Sequence, residues 1–395
     1  MSYFYFKIKK NGIYSCLLLI SFQFTVNAQV AKTYAFANIS KVSLPGFPYT
    51  SNQSAITTDG ENAELALLNK LESNFDKKPS RKVLLSYLRE LNKNKSAENQ
   101  RASKLHTRLA NYFARLRLYP QVMKCFFKAT VPDDVMDNEG RFIRESSGTV
   151  PGDTTTNDVA EAIDSNASAA TNVSALLAIN TRDSLLLKAD SGLFNHNGNQ
   201  IVSQPIPEKD IVNPFEDGKK GIRYALIVHI QQPVSGKPKI FVKLNQVGHT
   251  FVTLIKYNSD STYIARTFGF YPRKENPLSA TPIIPSARSV YKNDEKHDWD
   301  EVVGKFISAR RFRKILMLVK QYDTVKYNLN KNNCTDFGLN VAALGGISIT
   351  DTFGRWPLGR GNNPGVTGQS ILNGKVINTD TGNKDNLFIY SDIVK

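Results

Sequence analysis

The sequence is poor in the residues that build disulfide-rich or metal-bound scaffolds. Its 395 residues include three cysteines and five histidines. Three cysteines are too few for a disulfide-dense fold, and scattered histidines do not supply the three or four convergent ligands of a zinc site. The GxGxxG, GxxxxGK and serine-elbow patterns of dinucleotide-binding proteins, P-loop proteins and serine hydrolases are also missing. We therefore expect neither a metal nor a cofactor.

Long hydrophobic runs are scarce too. The apolar run at 13–22 is shorter than the roughly 20 residues that span a bilayer. It follows Lys7, Lys9 and Lys10 and precedes Val26-Asn27-Ala28, which is the pattern of a cleavable secretory signal peptide at 1–28. No later segment predicts a transmembrane helix. We expect an exported protein, located in the periplasm or outside the cell.

Acidic residues are outnumbered, with 35 Asp and Glu against 51 Lys and Arg and a net charge of +16. The excess is uneven, since 76–128 and 220–395 are basic and 129–219 is acidic. A basic surface suits an anionic substrate or surface. Nucleic acid is not expected, because the chain is predicted to leave the cytoplasm and shows no helix-turn-helix, finger or RNA-binding motif.

Pattern changes divide the rest of the chain. An extended segment at 29–60 precedes 61–131, where leucines and aromatic residues recur every three or four positions and predict a small all-α helical bundle. In particular, Pro120 is expected to open a last helix. At 132–219, Ser, Thr, Asn, Asp and Ala dominate, which predicts a disordered acidic linker. The bundle offers a surface for a protein partner.

Residues 220–395 predict an α+β domain with an antiparallel sheet. Apolar runs predict strands at 224–230, 239–244, 250–257, 261–270 and 299–307, and a polar loop is expected at 273–297. Helices are predicted at 310–322 and at 334–344, where Gly345-Gly346 ends the last one. Strands that come first and helices that follow are typical of α+β folds.

Two local sequences in this domain suggest chemistry. Gly248-His249-Thr250 places a histidine at the start of an apolar strand, and Asn333-Cys334-Thr335 places a cysteine at the start of a helix. Helix N-terminal amides and a nearby imidazole both favour the thiolate. Such a thiolate attacks carbonyl carbon, and the same imidazole protonates the leaving group. Taken alone, Cys334 and His249 also fit buried structural roles, whereas Cys125 is expected to be only a buried helix residue.

The order of histidine before cysteine, with the cysteine in an Asn-Cys-x-x-Phe helix start, resembles the circularly permuted papain-fold enzymes. These include permuted NlpC-like peptidases and relatives of lecithin:retinol acyltransferase. The resemblance covers about residues 222–370. It implies a papain-like fold, an amide or ester substrate with cell-wall peptide favoured, Cys334 as nucleophile and His249 as general base and acid.

The other site residues are less determined. The resemblance places the residue that orients the imidazole on the strand after the histidine, where the candidates are Thr262, Arg266 and Thr267. Oxyanion donors are expected from the Cys334 amide with Tyr327 or Asn333. The Gly-rich segment 354–368 offers substrate-binding residues, namely Arg355, Trp356 and Arg360.

Two other hypotheses remain open. Since none of the orienting candidates is an acid, the domain could be a catalytically silent module of a secreted interaction protein. Alternatively, the chain is an exported toxin or effector with the same Cys–His chemistry, in which residues 29–219 serve as a delivery or trafficking region.

Overall fold

The computed structural model describes residues 84, 99–130, 177, 179, 183, 202–241, 247–273, 275–276 and 278–393. The predicted signal peptide, the segment 29–60 and most of the predicted linker lie outside these ranges. The described residues pack as one compact unit of mixed α and β structure. Within them, no helix combines the length and the apolar character needed to cross a membrane.

A mostly antiparallel sheet forms the centre of the molecule. Its strands follow the order β1-β5-β4-β3-β2-β6-β12, and β7 pairs with β5. There are also two small two-stranded antiparallel sheets, one formed by β9 and β10 and the other by β8 and β11. The strands are β1 Gln204–Ile206, β2 Gly221–Gln231, β3 His249–Asn258, β4 Tyr263–Arg273, β5 Ser286–Asn293, β6 Glu301–Ile307, β7 Tyr327–Asn328, β8 Ile347–Ile349, β9 Phe353–Trp356, β10 Gly359–Asn362, β11 Val376–Asn378 and β12 Phe388–Ser391.

Six α-helices lie in the described part of the chain: α1 Asn99–Arg115, α2 Tyr119–Thr130, α3 Glu208–Val212, α4 Ala309–Tyr322, α5 Cys334–Leu344 and α6 Pro364–Leu372. Pro120 lies in the first turn of α2, as predicted, where its missing N–H removes no intrahelical bond. The two C-terminal helices predicted from periodicity are confirmed as α4 and α5, and the predicted strands 250–257, 261–270 and 299–307 correspond to β3, β4 and β6.

The sheet has a separate hydrophobic core on each face. On one face, α1 and α2 pack against side chains such as Ile227, Phe251 and Tyr257. On the other face, α4 and α5 pack against Val228, Val252 and Phe268. Alternate residues of each strand point to opposite faces, and both faces are apolar, so a helical layer covers each side.

The helices α1 and α2 therefore pack on the sheet rather than standing apart from it. Tyr257 of β3 donates a hydrogen bond to the Pro120 carbonyl at 2.7 Å. Lys124 of α2 forms a fully buried ion pair with Asp183 at 2.9 Å. Periodicity identified the buried face of these helices, and tertiary contacts determine what that face packs against.

Three other parts of the domain differ from the sequence prediction. Residues 202–215 lie within the predicted linker, yet they form β1, α3 and a 3₁₀ turn, and Ile211, Val212 and Phe215 enter the core. The predicted polar loop 273–297 contains β5, which pairs with β4 and β1. In the predicted strand 239–244, residues 239–241 are irregular and the remainder is outside the described residues.

Candidate active site

Cys334 is the first residue of α5, and its position is fixed by helix capping. The Asn333 side chain accepts hydrogen bonds from the Thr335 and Asp336 amides, and the Asp336 carboxylate accepts one from the Asn333 amide. This reciprocal capping box sets where the helix begins. The thiol consequently lies at the positive end of the helix, where a negative charge is stabilised.

His249 is the first residue of β3 and is 5% exposed. Its Nε2 lies 3.1 Å from Asp294 Oδ2, and the ring is close enough to Cys334 for each group to shift the pKa of the other. Because Nε2 is engaged with Asp294, Nδ1 is the nitrogen left to share a proton with Cys334. The three side chains thus form a line from thiol to imidazole to carboxylate.

Asp294 follows the last residue of β5 and is fully buried. The Asp294 amide donates to the Thr267 carbonyl, and the hydroxyl of Tyr271 donates to Oδ1 at 2.8 Å. Gly269 of β4 makes room for the pair, since a Cβ there would collide with both Asp294 Oδ2 and His249 Nε2. The carboxylate is therefore held in one place by backbone and side-chain bonds.

The charges of the three groups depend on one another. Burial lowers the pKa of His249, but the hydrogen bond and charge of Asp294 and the contact with Cys334 outweigh it and raise that pKa to about 9. Burial raises the pKa of Asp294, and His249 reverses this so that the pKa lies below its usual value. The carboxylate is thus ionised at neutral pH and favours the imidazolium.

The thiol responds to the imidazolium. Burial raises the pKa of Cys334, but the hydrogen bond and charge of His249 lower it more, assisted by the Thr250 amide and the Thr335 hydroxyl. The pKa of Cys334 consequently lies below its ordinary value, whereas that of His249 lies above its own, at about 9. Both shifts favour the thiolate–imidazolium pair over the neutral thiol and imidazole, and the thiolate is the reactive form of a nucleophilic cysteine.

Asp294 corrects the sequence-based candidates for the orienting residue. Thr262 lies in the β3–β4 turn and bonds to Asp260. Arg266 donates to a backbone carbonyl of α3, and the Thr267 hydroxyl bonds to Thr253 at 2.8 Å. We expected the orienting residue on β4, the strand after the histidine, whereas the acid that contacts His249 lies one strand later, at the end of β5.

Tyr327 and Asn333, the two candidate oxyanion donors, are in different situations. Tyr327 is buried close to Cys334, and burial and the thiolate charge raise the pKa of its hydroxyl well above the usual value. The hydroxyl therefore remains a donor. By contrast, Asn333 uses its oxygen for the helix cap and its nitrogen to donate to Leu329 and Asn362. That commitment removes Asn333 from the donor set.

A second histidine, His297, lies beside His249, although no sequence pattern predicted a role for it. The ring centroids of His297 and His249 are 5.1 Å apart. Burial and the His249 charge lower the pKa of His297, so its ring is neutral when His249 is charged. The turn between α1 and α2 holds the loop that contains it, because Arg117 donates to the His297 carbonyl at 3.0 Å and pairs with Asp298.

The substrate-binding candidates Arg355, Trp356 and Arg360 line a cleft of about 700 Å³, together with Asn330, Lys331, Phe353 and Gly359. Cys334 is not among the lining residues. The cleft nevertheless adjoins the start of α5, since Asn362, which ends β10, accepts from Asn333 and donates to Asp336. Two hydrogen bonds thus join this wall of the cleft to the helix that carries the thiol.

The remaining thiol and the polar clusters give no competing site. Cys125 is fully buried in α2, as predicted, and burial raises the pKa of its thiol. Cys125 and Cys334 are both free thiols. Across the described ranges, no group of three His, Cys, Asp or Glu side chains has an arrangement that would hold a metal ion.

Comparisons with known proteins add no assignment. No protein-family model, no curated protein and no solved structure matches the chain.

Proposed function

We propose that the protein is an exported cysteine hydrolase that cleaves an amide or ester bond. The observation that carries this proposal is the buried line from Cys334 through His249 to Asp294. A thiolate, an imidazole and a carboxylate in this arrangement have the roles of nucleophile, proton carrier and orienting group in acyl transfer.

The chemistry follows from these contacts. The Cys334 sulfur attacks the carbonyl carbon, and the oxygen that becomes negative accepts from the Cys334 amide and the Tyr327 hydroxyl. The carbon–heteroatom bond then breaks as the His249 imidazolium gives its proton to the leaving amine or alcohol. The resulting thioester is hydrolysed by water that the neutral imidazole deprotonates, which releases the acid and restores the ion pair.

Two features support the permuted papain-like relationship. The histidine precedes the cysteine in the chain, and an antiparallel sheet carries the histidine while a helix start carries the cysteine. The resemblance favours peptide substrates, with cell-wall peptide first, and the predicted signal peptide at 1–28 favours action in the periplasm or outside the cell. Asp294 supplies the acid whose lack had favoured a catalytically silent module. The toxin or effector hypothesis involves the same chemistry.

Turnover of 4-nitrophenyl esters by the full chain tests the proposal. We expect a burst equal to one acyl group per chain, and loss of turnover in Cys334→Ala and His249→Ala with folding preserved. Cys125→Ala is the matched control, since it removes a second buried thiol, which lies in α2, and should retain turnover. Unchanged activity in Cys334→Ala would overturn the proposal.

A further inference from the structure

The cleft beside α5 is rich in positive charge that has no partner. Lys331, Arg355 and Arg360 line it, and none of the described lining residues is acidic. Within the described part of the chain, no ion pair or hydrogen bond involves the side chains of these three residues. Other basic side chains of the domain are paired, as Lys256 is with Asp217 and Arg311 with Asp380. The cleft is therefore a concentrated positive surface in a concave site.

Strand pairing places two of these charges opposite each other. Arg355 of β9 is directly opposite Arg360 of β10 in an antiparallel pair. Side chains in opposed positions have Cβ atoms about 5 Å apart, and like charges there destabilise the pair. An anion between the two guanidinium groups would convert this repulsion into two attractive contacts.

Polar atoms in the same cleft lack hydrogen-bond partners. Trp356 Nε1 and Asn330 Oδ1 are buried without a partner, although each belongs to a side chain that lines the cleft. A Cβ on Gly359 would collide with both atoms, so they flank one small space that glycine leaves open. An unpaired buried donor beside an unpaired buried acceptor is costly unless a ligand satisfies them.

The cleft lies within reach of the thiol. Asn330 is four residues before Cys334, and a fully extended chain covers at most about 3.6 Å per residue, so their Cα atoms are within about 14 Å. A substrate of a few residues can therefore have one end in the cleft and its scissile carbonyl at Cys334.

We propose that this cleft is an anion-binding subsite that takes a carboxylate or phosphate group of the substrate, carried beside a hydrogen-bond donor. Arg355, Arg360 and Lys331 face the anion, the Trp356 indole N–H donates to it, and Asn330 Oδ1 accepts from the neighbouring donor. The assignment of the ligand as substrate rests on the proposed hydrolase function, whereas anion binding itself does not.

Binding is measured on the full chain by the indole N–H signals in ¹H–¹⁵N NMR spectra, with inorganic phosphate and glutarate as separate probes. The chain has two tryptophans. Trp299 is buried in the core between the sheet and the helices α1 and α2, so it is an internal control. We expect the Trp356 signal to move with a saturable dependence on one or both anions while the Trp299 signal stays. The tighter-binding probe identifies phosphate or carboxylate as the preferred group.

The matched variants remove the same charge from different places. Arg355→Gln/Arg360→Gln should weaken binding about 10-fold or more, which corresponds to about 1.4 kcal/mol. Lys314→Gln/Lys320→Gln takes two exposed charges from α4 and should leave binding unchanged. A Trp356 signal that does not move with either probe, or equal weakening by both double variants, would overturn the subsite.

A kinetic comparison links the subsite to the reaction. The ratio of kcat/KM for the 4-nitrophenyl monoester of glutarate to that for 4-nitrophenyl butyrate should fall about 10-fold in Arg355→Gln/Arg360→Gln. Anion binding without any turnover would contradict the hydrolase and leave the subsite standing. Turnover without anion binding would do the reverse, and an unchanged ratio would contradict the role of the cleft in substrate selection.

Discussion

Replacement of Asp294 by asparagine removes the charge that stabilises the His249 imidazolium and changes the side chain by one atom. Asp294 supplies the largest contributions that raise the His249 pKa from 6.5 to about 9. A rise of this size corresponds to about 3 kcal/mol in favour of the protonated ring. In Asp294→Asn, burial and only the weaker contribution of Cys334 remain, so the His249 pKa should fall toward or below 6.5.

Loss of the imidazolium returns the proton to sulfur. We expect kcat/KM at pH 7 to fall about 10²- to 10⁴-fold, which is the range for a misplaced or mischarged general acid–base group. In the wild-type chain, activity should rise through the lowered Cys334 pKa and decline near pH 9 as His249 loses its proton. In Asp294→Asn, the declining limb should move to lower pH.

The assay is the pH profile of ester hydrolysis, with circular dichroism to verify folding. Glu295→Gln is the matched control, since it removes one negative charge from the adjacent, exposed position and should leave both limbs in place. A folded Asp294→Asn protein with the wild-type profile and rate would refute the assignment of Asp294 as orienting residue.

Four further substitutions test separate parts of the account. Tyr327→Phe removes one oxyanion donor and should lower kcat about 10²-fold with little change in KM, measured by steady-state kinetics. Gly269→Ala introduces a Cβ that collides with the histidine–carboxylate pair and should shift the alkaline limb of the pH profile to lower pH. Arg117→Ala frees the loop after the carboxylate and should lower kcat by about tenfold. Arg115→Ala, which breaks an ion pair with Asp392 and no contact with His297 or Asp298, should not. Glu301→Gln removes a buried carboxyl that has no hydrogen-bond partner and whose pKa burial raises to about 9. The stability that this protonated group contributes is fully present below pH 4.5, and about 3 kcal/mol of it is lost by pH 7. Urea midpoints should therefore decline less between pH 5 and 9 in the variant.

Each of these expectations has a contrary result. A rise in KM with unchanged kcat in Tyr327→Phe would place the hydroxyl in substrate binding rather than at the oxyanion. A wild-type pH profile in a folded Gly269→Ala protein would mean that the pair tolerates the added methyl group. Equal effects of the two arginine variants would indicate general destabilisation. Identical midpoint curves for the wild type and Glu301→Gln would show that the carboxyl is not buried in the neutral form.

Local signals in the sequence were enough to predict the elements that carry Cys334 and His249. A helix that starts at Cys334 follows from the capping residues Asn333 and Asp336, and a strand that starts at His249 follows from the apolar run after it. Both elements are determined mainly by nearby residues, so pattern and capping chemistry predict them well.

The orienting acid could not be found in the same way. Asp294 is 45 residues from His249, and the two meet only because β4 and β5 pair in a particular register. Residues of β5 are mostly exposed or half-buried, so this strand lacks the apolar run from which a strand is predicted. The one local sign was an acid at the end of a weakly alternating segment.

Long-range packing also explains the other differences. Ile211, Val212 and Phe215 are too few to give a periodic pattern, yet they are buried because α4 packs over them. Asn333 was a reasonable donor by position, but the capping box and two backbone carbonyls use all of its polar groups. Such competition for hydrogen bonds becomes visible only when every partner is placed.

The most direct test is the pH dependence of iodoacetamide labelling at Cys334 in the native full chain, followed by mass spectrometry of the peptides. Cys125, buried with a raised pKa, is the internal control and should label only after unfolding. The account predicts labelling of Cys334 at pH 7 faster than that of a free model thiol, with a midpoint below the pKa of about 8.5 of such a thiol. A midpoint at or above that value, with a rate no faster than the model thiol at pH 7, would contradict an activated nucleophile.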